Sequence, residues 1–268
     1  MERHADYLLC FDSDGTIMDT MTVKHKRAFA PAFIEEFGIS THAQEITDHW
    51  LKENLYTKTR GMNRFQGLDE ILRFSEGLGY SFPGREEFSS WVNSTPAFSM
   101  DLLQIEMESH PENLVFAKAY SWSKKVNALI ALLPPSHPFD GVKEVLRQLR
   151  GCDLLGVSSA NAKAVKEEWE KEGIYSLFMG VMTQEDGTKS EIIAKALTLG
   201  YDPSRVVMVG DALGDYQAAK KNRVSFYPIF PKKEAESWKR FIDEVYVPLT
   251  KGEYEETPYV NAFLEALQ

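Results

Sequence analysis

Residues 6–16 read DYLLCFDSDGT. Leu8 to Phe11 form a short apolar run that stops on Asp12, the pattern of a parallel strand buried on both faces. Asp12-Ser-Asp-Gly-Thr16 then reads as a turn at the strand's carboxyl end. A single strand cannot bury itself, so the fold depends on where its partners lie. They are not in the next hundred residues. KRAFAPAFIEEFG (26–38), TDHWLKENLY (47–56), LDEILRFSEGLG (68–79), REEFSSWVNS (85–94) and NLVFAKAYSWSKKVNALIALL (113–133) all space their apolar residues as helices do. Leu133-Pro-Pro-Ser-His-Pro138 then breaks the helical pattern with three prolines in five residues.

Beyond that break, helix and strand alternate. GVKEVLRQLR leads to DLLGVSS (153–159), NAKAVKEEWEKEG to LFMGVMT (177–183), KSEIIAKALTLG to RVVMVGD (205–211), and DYQAAKKN to VSFYPIF (224–230). Such a rhythm predicts a parallel sheet with helices on both faces, to which the first strand must belong. The expected fold is therefore α/β: a doubly wound, Rossmann-like parallel sheet over 1–20 and 135–268, with an inserted all-helical domain over 21–134. Residues 234–268 read as one or two terminal helices packed on the sheet.

The chain has 268 residues with 30 basic and 40 acidic side chains, a net charge of −10. The stretch 21–134 carries 12 basic and 14 acidic residues, so most of the excess lies with the sheet. A balance of this sign argues against nucleic acid or anionic lipid as partner, since both need clustered Lys and Arg. It leaves room for a small phosphate, because a metal ion inverts the local sign. The sequence has no candidate membrane span or signal peptide, so a cytoplasmic location is expected. Cys10 and Cys152 are too few for a disulfide framework or zinc cluster, and Cys10 reads as an inert buried thiol. The histidines His25, His42, His49 and His110 fit no metal spacing. With none after His137, no Ser-His pair can form around Ser158, which disfavours a serine hydrolase. Trp50, Trp91, Trp122 and Phe98 read as packing of the insertion, and Trp169 and Trp238 as packing of the sheet domain.

In a doubly wound sheet ligands meet the carboxyl ends of the strands. Those ends carry Asp12 and Asp14, Ser158 and Ser159, and Asp211 with Asp215 four residues on. Lys189 opens the helix after the third strand, inside a Thr188-x-x-Glu191 capping pattern. A cation in that first turn opposes the helix dipole and is favoured where anions stand before it. Clustered Asp12, Asp14 and Asp211 need a cation to stay ionised together. An all-oxygen donor set points to a hard ion, Mg²⁺ above others.

Asp12-Ser-Asp-Gly-Thr16, Ser158, Lys189 and Gly210-Asp-Ala-Leu-Gly-Asp215, in this order and at strand ends, resemble the four motifs of the haloacid dehalogenase-like hydrolase superfamily. The insertion after the first motif is similar to that superfamily's helical type-1 cap. The resemblance implies that Asp12 attacks phosphorus to give an aspartyl-phosphate and that Asp14 serves as general acid, then base. Ser158 and Lys189 would hold the phosphoryl oxygens, with Ser159, Gly15 and Thr16 also phosphate-binding. Mg²⁺ would sit on Asp12, Asp211 and the Asp14 backbone carbonyl, with Asp215 behind them orienting Lys189 or metal-bound water. Asp14 places the chain with the phosphatase and phosphomutase branch rather than with dehalogenases. The expected activity is Mg²⁺-dependent hydrolysis of a small phosphorylated metabolite. The alternatives are a sugar phosphomutase or phosphotransferase and a non-catalytic binding module. Within 57–64 (TKTRGMNR), Arg60 and Arg64 are similar to a cap loop that holds a second phosphate, which makes them candidate substrate residues.

Overall fold

The structure, a computed structural model, describes residues 1–267. Along the chain, strand β1 (Tyr7–Phe11) is followed by helices α1 (Met21–Lys24), α2 (Ala30–Phe37), α3 (Ala43–Tyr56), α4 (Arg64–Gly77), α5 (Arg85–Ser94), α6 (Met100–Ser109) and α7 (Leu114–Ala131). Then come α8 (Val142–Gln148), β2 (Cys152–Val157), α9 (Ala162–Lys171), β3 (Gly180–Met182), α10 (Lys189–Leu197), β4 (Val206–Gly210), α11 (Leu213–Asn222) and β5 (Ser225–Pro228). The chain ends with α12 (Glu234–Phe241), α13 (Val247–Lys251) and α14 (Thr257–Ala266). It divides into two compact units, Met1–Met21 with Pro135–Gln268 and Thr22–Pro134.

The first unit holds a five-stranded parallel sheet in the order β3-β2-β1-β4-β5. β1 is its central strand, with Phe11 opposite Gly156 on one side and Val209 on the other. Strand alternation sorts its side chains onto two faces. Leu9 and Phe11 join a core with Val142, Trp169, Trp238 and Phe241, while Leu8 and Cys10 join one with Ile192, Ala219 and Phe263. Helices α8, α9 and α12 thus cover one face and α10, α11 and α14 the other. The order reverses direction at β1, so the crevice beyond the ends of β1, β2 and β4 is the topological switch point where ligands bind in such sheets.

Two local expectations differ from the structure. LFMGVMT was expected to be extended over 177–183, yet only Gly180–Met182 pair. Tyr175–Leu177 instead close a 3₁₀ turn, and this edge strand has one neighbour to hold it straight. Helix α6 falls inside the expected helical insertion but was not among its named segments. Its one fully buried residue is Leu103, with Met100, Leu102 and Met107 half-buried against the same core, and the Ser99 side chain accepting from the Leu102 N–H marks its start.

The second unit is helical, with its own core around Phe29, Phe33, Trp50, Leu68, Phe88 and Trp122. A π-turn at His25–Phe29 brings His25 against Phe29, where its Nδ1 accepts from the Trp50 indole at 3.0 Å. No helix among the described residues is long and apolar enough to cross a membrane.

Candidate active site

The strand ends of the first unit bring most of the expected residues together. The Asp12 N–H continues the ladder to the Val209 carbonyl at 3.0 Å, which fixes the first residue beyond β1. The chain then turns back on itself. The Ser13 carbonyl accepts from the amides of Ile17 and Met18 at 3.0 and 2.9 Å, and Gly15 takes φ 83°, a conformation that favours glycine. Asp211 follows β4 directly. Asp215 stands in the first turn of α11 and accepts from the Ala212 N–H at 3.1 Å, so that helix start needs no other cap. Gly210 is required beside it, because a Cβ there would stand 2.4 Å from the Asp215 carboxyl carbon.

Lys189 opens α10 behind a capping box in which Thr188 and Glu191 satisfy each other's amides. Its ammonium reaches Asp12 Oδ1 at 2.7 Å and Asp215 Oδ1 at 2.6 Å. These are the anions that the unfavourable dipole position called for. Oxygens of Asp12, Asp211 and Asp215 all lie within 4.8 Å of one another, and all three residues are buried. Burial raises the Asp12 carboxyl well above the usual range. The charges of Asp215 and Asp211 push the same way, and Lys189 pulls against them. Asp215 is raised for the same reasons, burial first. Burial alone would lower Lys189, but the charges of Asp12 and Asp215 more than offset this and hold it above its ordinary value.

Three buried carboxylates against one ammonium leave a local excess of negative charge. The donors are oxygen throughout, the preference of a hard divalent cation. Among the described residues no other group of His, Cys, Asp or Glu is placed to hold a metal. The residues therefore fit a hard divalent cation such as Mg²⁺, and Asp12, Asp211 and Asp215 are the clustered carboxylates that could hold one.

Around this centre, Asp14 is half-buried and its Oδ1 accepts from the Thr20 hydroxyl at 2.6 Å. The Thr16 hydroxyl donates to Asp211 Oδ1 at 2.9 Å. Ser158 is buried beyond β2, its Oγ accepting from the Ala160 N–H at 3.1 Å, which leaves its proton to donate. Ser159 is exposed.

Arg60 and Arg64 lie in the other unit, each with partners there. Arg60 is buried and donates to the Leu55 carbonyl at 2.6 Å, closing the end of α3. Arg64 donates to Ser123 Oγ at 3.0 Å and Asn127 Oδ1 at 2.7 Å, and its guanidinium lies 5.5 Å over the Phe29 ring. Burial lowers its pKa. The 57–64 stretch is thus tied back onto its own helices.

Sequence reading missed Thr20, Ser13 and the second role of Trp169 and Trp238. Both tryptophans are buried as expected, but Trp169 donates to Ser13 Oγ at 3.0 Å and Trp238 to the Thr16 carbonyl at 2.9 Å. The available signal was chemical: an indole N–H in a core must find an acceptor.

Residues 8–222 match the family model of haloacid dehalogenase-like hydrolases. The chain belongs to this family. A curated relative, the phosphoglycolate phosphatase of Thiobacillus denitrificans, is 25% identical over 162 residues, covering 57% of this chain and 69% of that protein. A haloacid dehalogenase-like family hydrolase from Streptococcus pneumoniae shares the fold at a TM-score of 0.50 and 14% identity, over 87% of this chain and 90% of that one. The chain is therefore a haloacid dehalogenase-like hydrolase with the α/β, Rossmann-like sheet typical of doubly wound folds.

Proposed function

We propose that this hydrolase is a Mg²⁺-dependent phosphatase of small phosphate monoesters that works through an aspartyl-phosphate. The junction of Lys189 with Asp12 and Asp215, inside a triad of buried carboxylates, carries the proposal. Phosphoryl transfer needs little besides positioning and countercharge, and this junction offers both. Asp12 attacks phosphorus, and the bond to the leaving oxygen breaks as Asp14 gives that oxygen a proton. Asp14, now ionised, takes a proton from water, which attacks the aspartyl-phosphate, releases phosphate and restores Asp12.

The Ser158 hydroxyl, its lone pair engaged by Ala160, donates to a phosphoryl oxygen, and Lys189 neutralises another while favouring the ionised form of Asp12. Asp12, Asp211 and the Asp14 backbone carbonyl would hold Mg²⁺, with Asp215 behind them on Lys189 and the Ala212 N–H, and the ion would supply the remaining countercharge. Thr20 holds Asp14 by one oxygen. Gly15, Thr16 and Ser159 complete the phosphate pocket in this proposal. Arg60 and Arg64 stay candidate substrate residues in this proposal, each anchored through one guanidinium nitrogen.

The test is phosphate release from a panel of sugar, nucleotide and organic-acid phosphates, with and without Mg²⁺. Wild-type turnover that needs Mg²⁺ and falls on the order of 10³-fold in a folded Asp12→Asn variant is the expected result. Full activity in that variant refutes the mechanism. Isomerisation of a sugar phosphate without net phosphate release would replace water by a sugar hydroxyl as acceptor.

A further inference from the structure

We propose that the indole N–H groups of Trp169 and Trp238 set the position of the Asp12–Thr16 turn, which makes both tryptophans positioning residues for the reaction proposed above, on which this inference rests.

Strand alternation decides which way Ser13 faces. Leu9 and Phe11 face the layer that contains Trp169 and Trp238, and Ser13 is next in that series. Ser13 is fully buried where its neighbours in the series are apolar. A hydroxyl buried there is costly unless it is bonded, and its side-chain partner is Trp169, with Nε1 to Oγ at 3.0 Å. Ser13 sits between Asp12 and Asp14, so whatever fixes Ser13 fixes both carboxyl-bearing neighbours.

The Trp169 ring has little freedom to turn away. Phe178 packs on it at 4.6 Å between centroids. It also occupies the space over Gly156, where a Cβ would stand 2.9 Å from the ring. Gly156 is the residue opposite Phe11 on β2, so a missing side chain beside the turn is what admits the indole.

Trp238 acts at the other end of the turn from a different helix. It stacks on Phe11 at 5.8 Å and donates to the Thr16 carbonyl at 2.9 Å. The Thr16 hydroxyl in turn donates to Asp211 Oδ1. One indole thus holds the residue next to Asp12, and the other holds the residue that holds Asp211. An indole is a donor only and cannot exchange roles, so each bond has one sense and one geometry. Catalysis by positioning is sensitive to such supports: about 1 Å of misplacement costs on the order of 10²-fold.

The experiment compares Ser13→Ala, Trp169→Phe and the double variant with wild type, in kcat, KM and melting temperature, on a panel substrate with Mg²⁺. Each single variant leaves one buried polar group unpaired and loses stability. The double variant leaves none, so it regains melting temperature. If the bond positions Asp12, kcat falls about tenfold or more in both singles with KM within about twofold, and it stays low in the double. A kcat that is kept in the singles, or that returns with stability in the double, overturns the inference while leaving the phosphatase reading intact. Ser13→Ala removes a single oxygen and decides the matter by itself if Trp169→Phe does not fold. A wild-type chain that releases no phosphate from any panel member refutes the phosphatase reading, and the inference falls with it.

Discussion

Lys189→Met removes the ammonium that stands 2.7 Å from Asp12 and 2.6 Å from Asp215 while keeping most of the side-chain volume. Both carboxylates are nearly inaccessible, at 7% and 0% side-chain exposure, so water cannot replace the lost partner. Deleting one member of a buried ion pair costs about 3–5 kcal/mol, because the remaining charge is left uncompensated. At about 2–4 °C per kcal/mol for a chain of this size class, the melting temperature should fall by roughly 10 °C at neutral pH in the presence of a chelator.

The pH dependence has a definite sign. Burial already lifts Asp12 and Asp215 above their unfolded values, and loss of Lys189 lifts them further. The folded variant then binds more protons than the unfolded chain, so its stability falls as pH rises through the raised carboxyl values and recovers on acidification. Melts followed by circular dichroism from about pH 5 to about pH 8 measure both effects. A loss below about 1 kcal/mol, or one that does not change with pH, would refute the view that Lys189 is what permits these carboxylates to be buried.

Further outcomes follow from the same centre. Mg²⁺ at a hundred times its Kd should stabilise wild type by about 2.7 kcal/mol. The gain should grow with pH as protons on Asp12 cease to compete, and a shift that survives unchanged in Asp211→Asn would place the ion elsewhere. Gly210→Ala forces a Cβ to within 2.4 Å of the Asp215 carboxyl carbon, whereas nothing lies within 4 Å of a Cβ at Gly214. Turnover and the Mg²⁺-induced melting shift should therefore collapse in Gly210→Ala and persist in Gly214→Ala. Equal behaviour of the two would mean that Asp215 needs no fixed place.

What the sequence made legible was what one dominant force controls. The run Leu8–Phe11 is apolar because β1 is covered on both faces, and nothing else suits such a run ended by Asp12. Thr188 and Glu191 could be read as a cap because both partners lie within four residues. Lys189 was legible as a puzzle, a cation at the wrong end of a helix, and Asp12 and Asp215 resolve it from more than twenty residues away. Less legible were elements whose state depends on distant neighbours. The edge strand β3 pairs over three residues, and α6 buries only Leu103 fully beside half-buried Met100, Leu102 and Met107, so the signal of each is weak. The tryptophans show the limit most directly. Hydrophobicity predicts that Trp169 and Trp238 are inside, but where a buried N–H points is set by the tertiary fold.

The order β3-β2-β1-β4-β5 has a consequence for biosynthesis. The strand in the middle of the sheet is made about 145 residues before the segment it first pairs with, Cys152–Val157, and its other neighbour is later still. At ribosomal rates of about 5–20 residues per second, Tyr7–Phe11 spends on the order of ten seconds as an unpaired apolar segment. The intervening Thr22–Pro134 has a core of its own, whose formation shortens the distance the early strand must later close. The protein therefore starts its sheet from the centre, with both neighbours of β1 missing until β2 and β4 emerge.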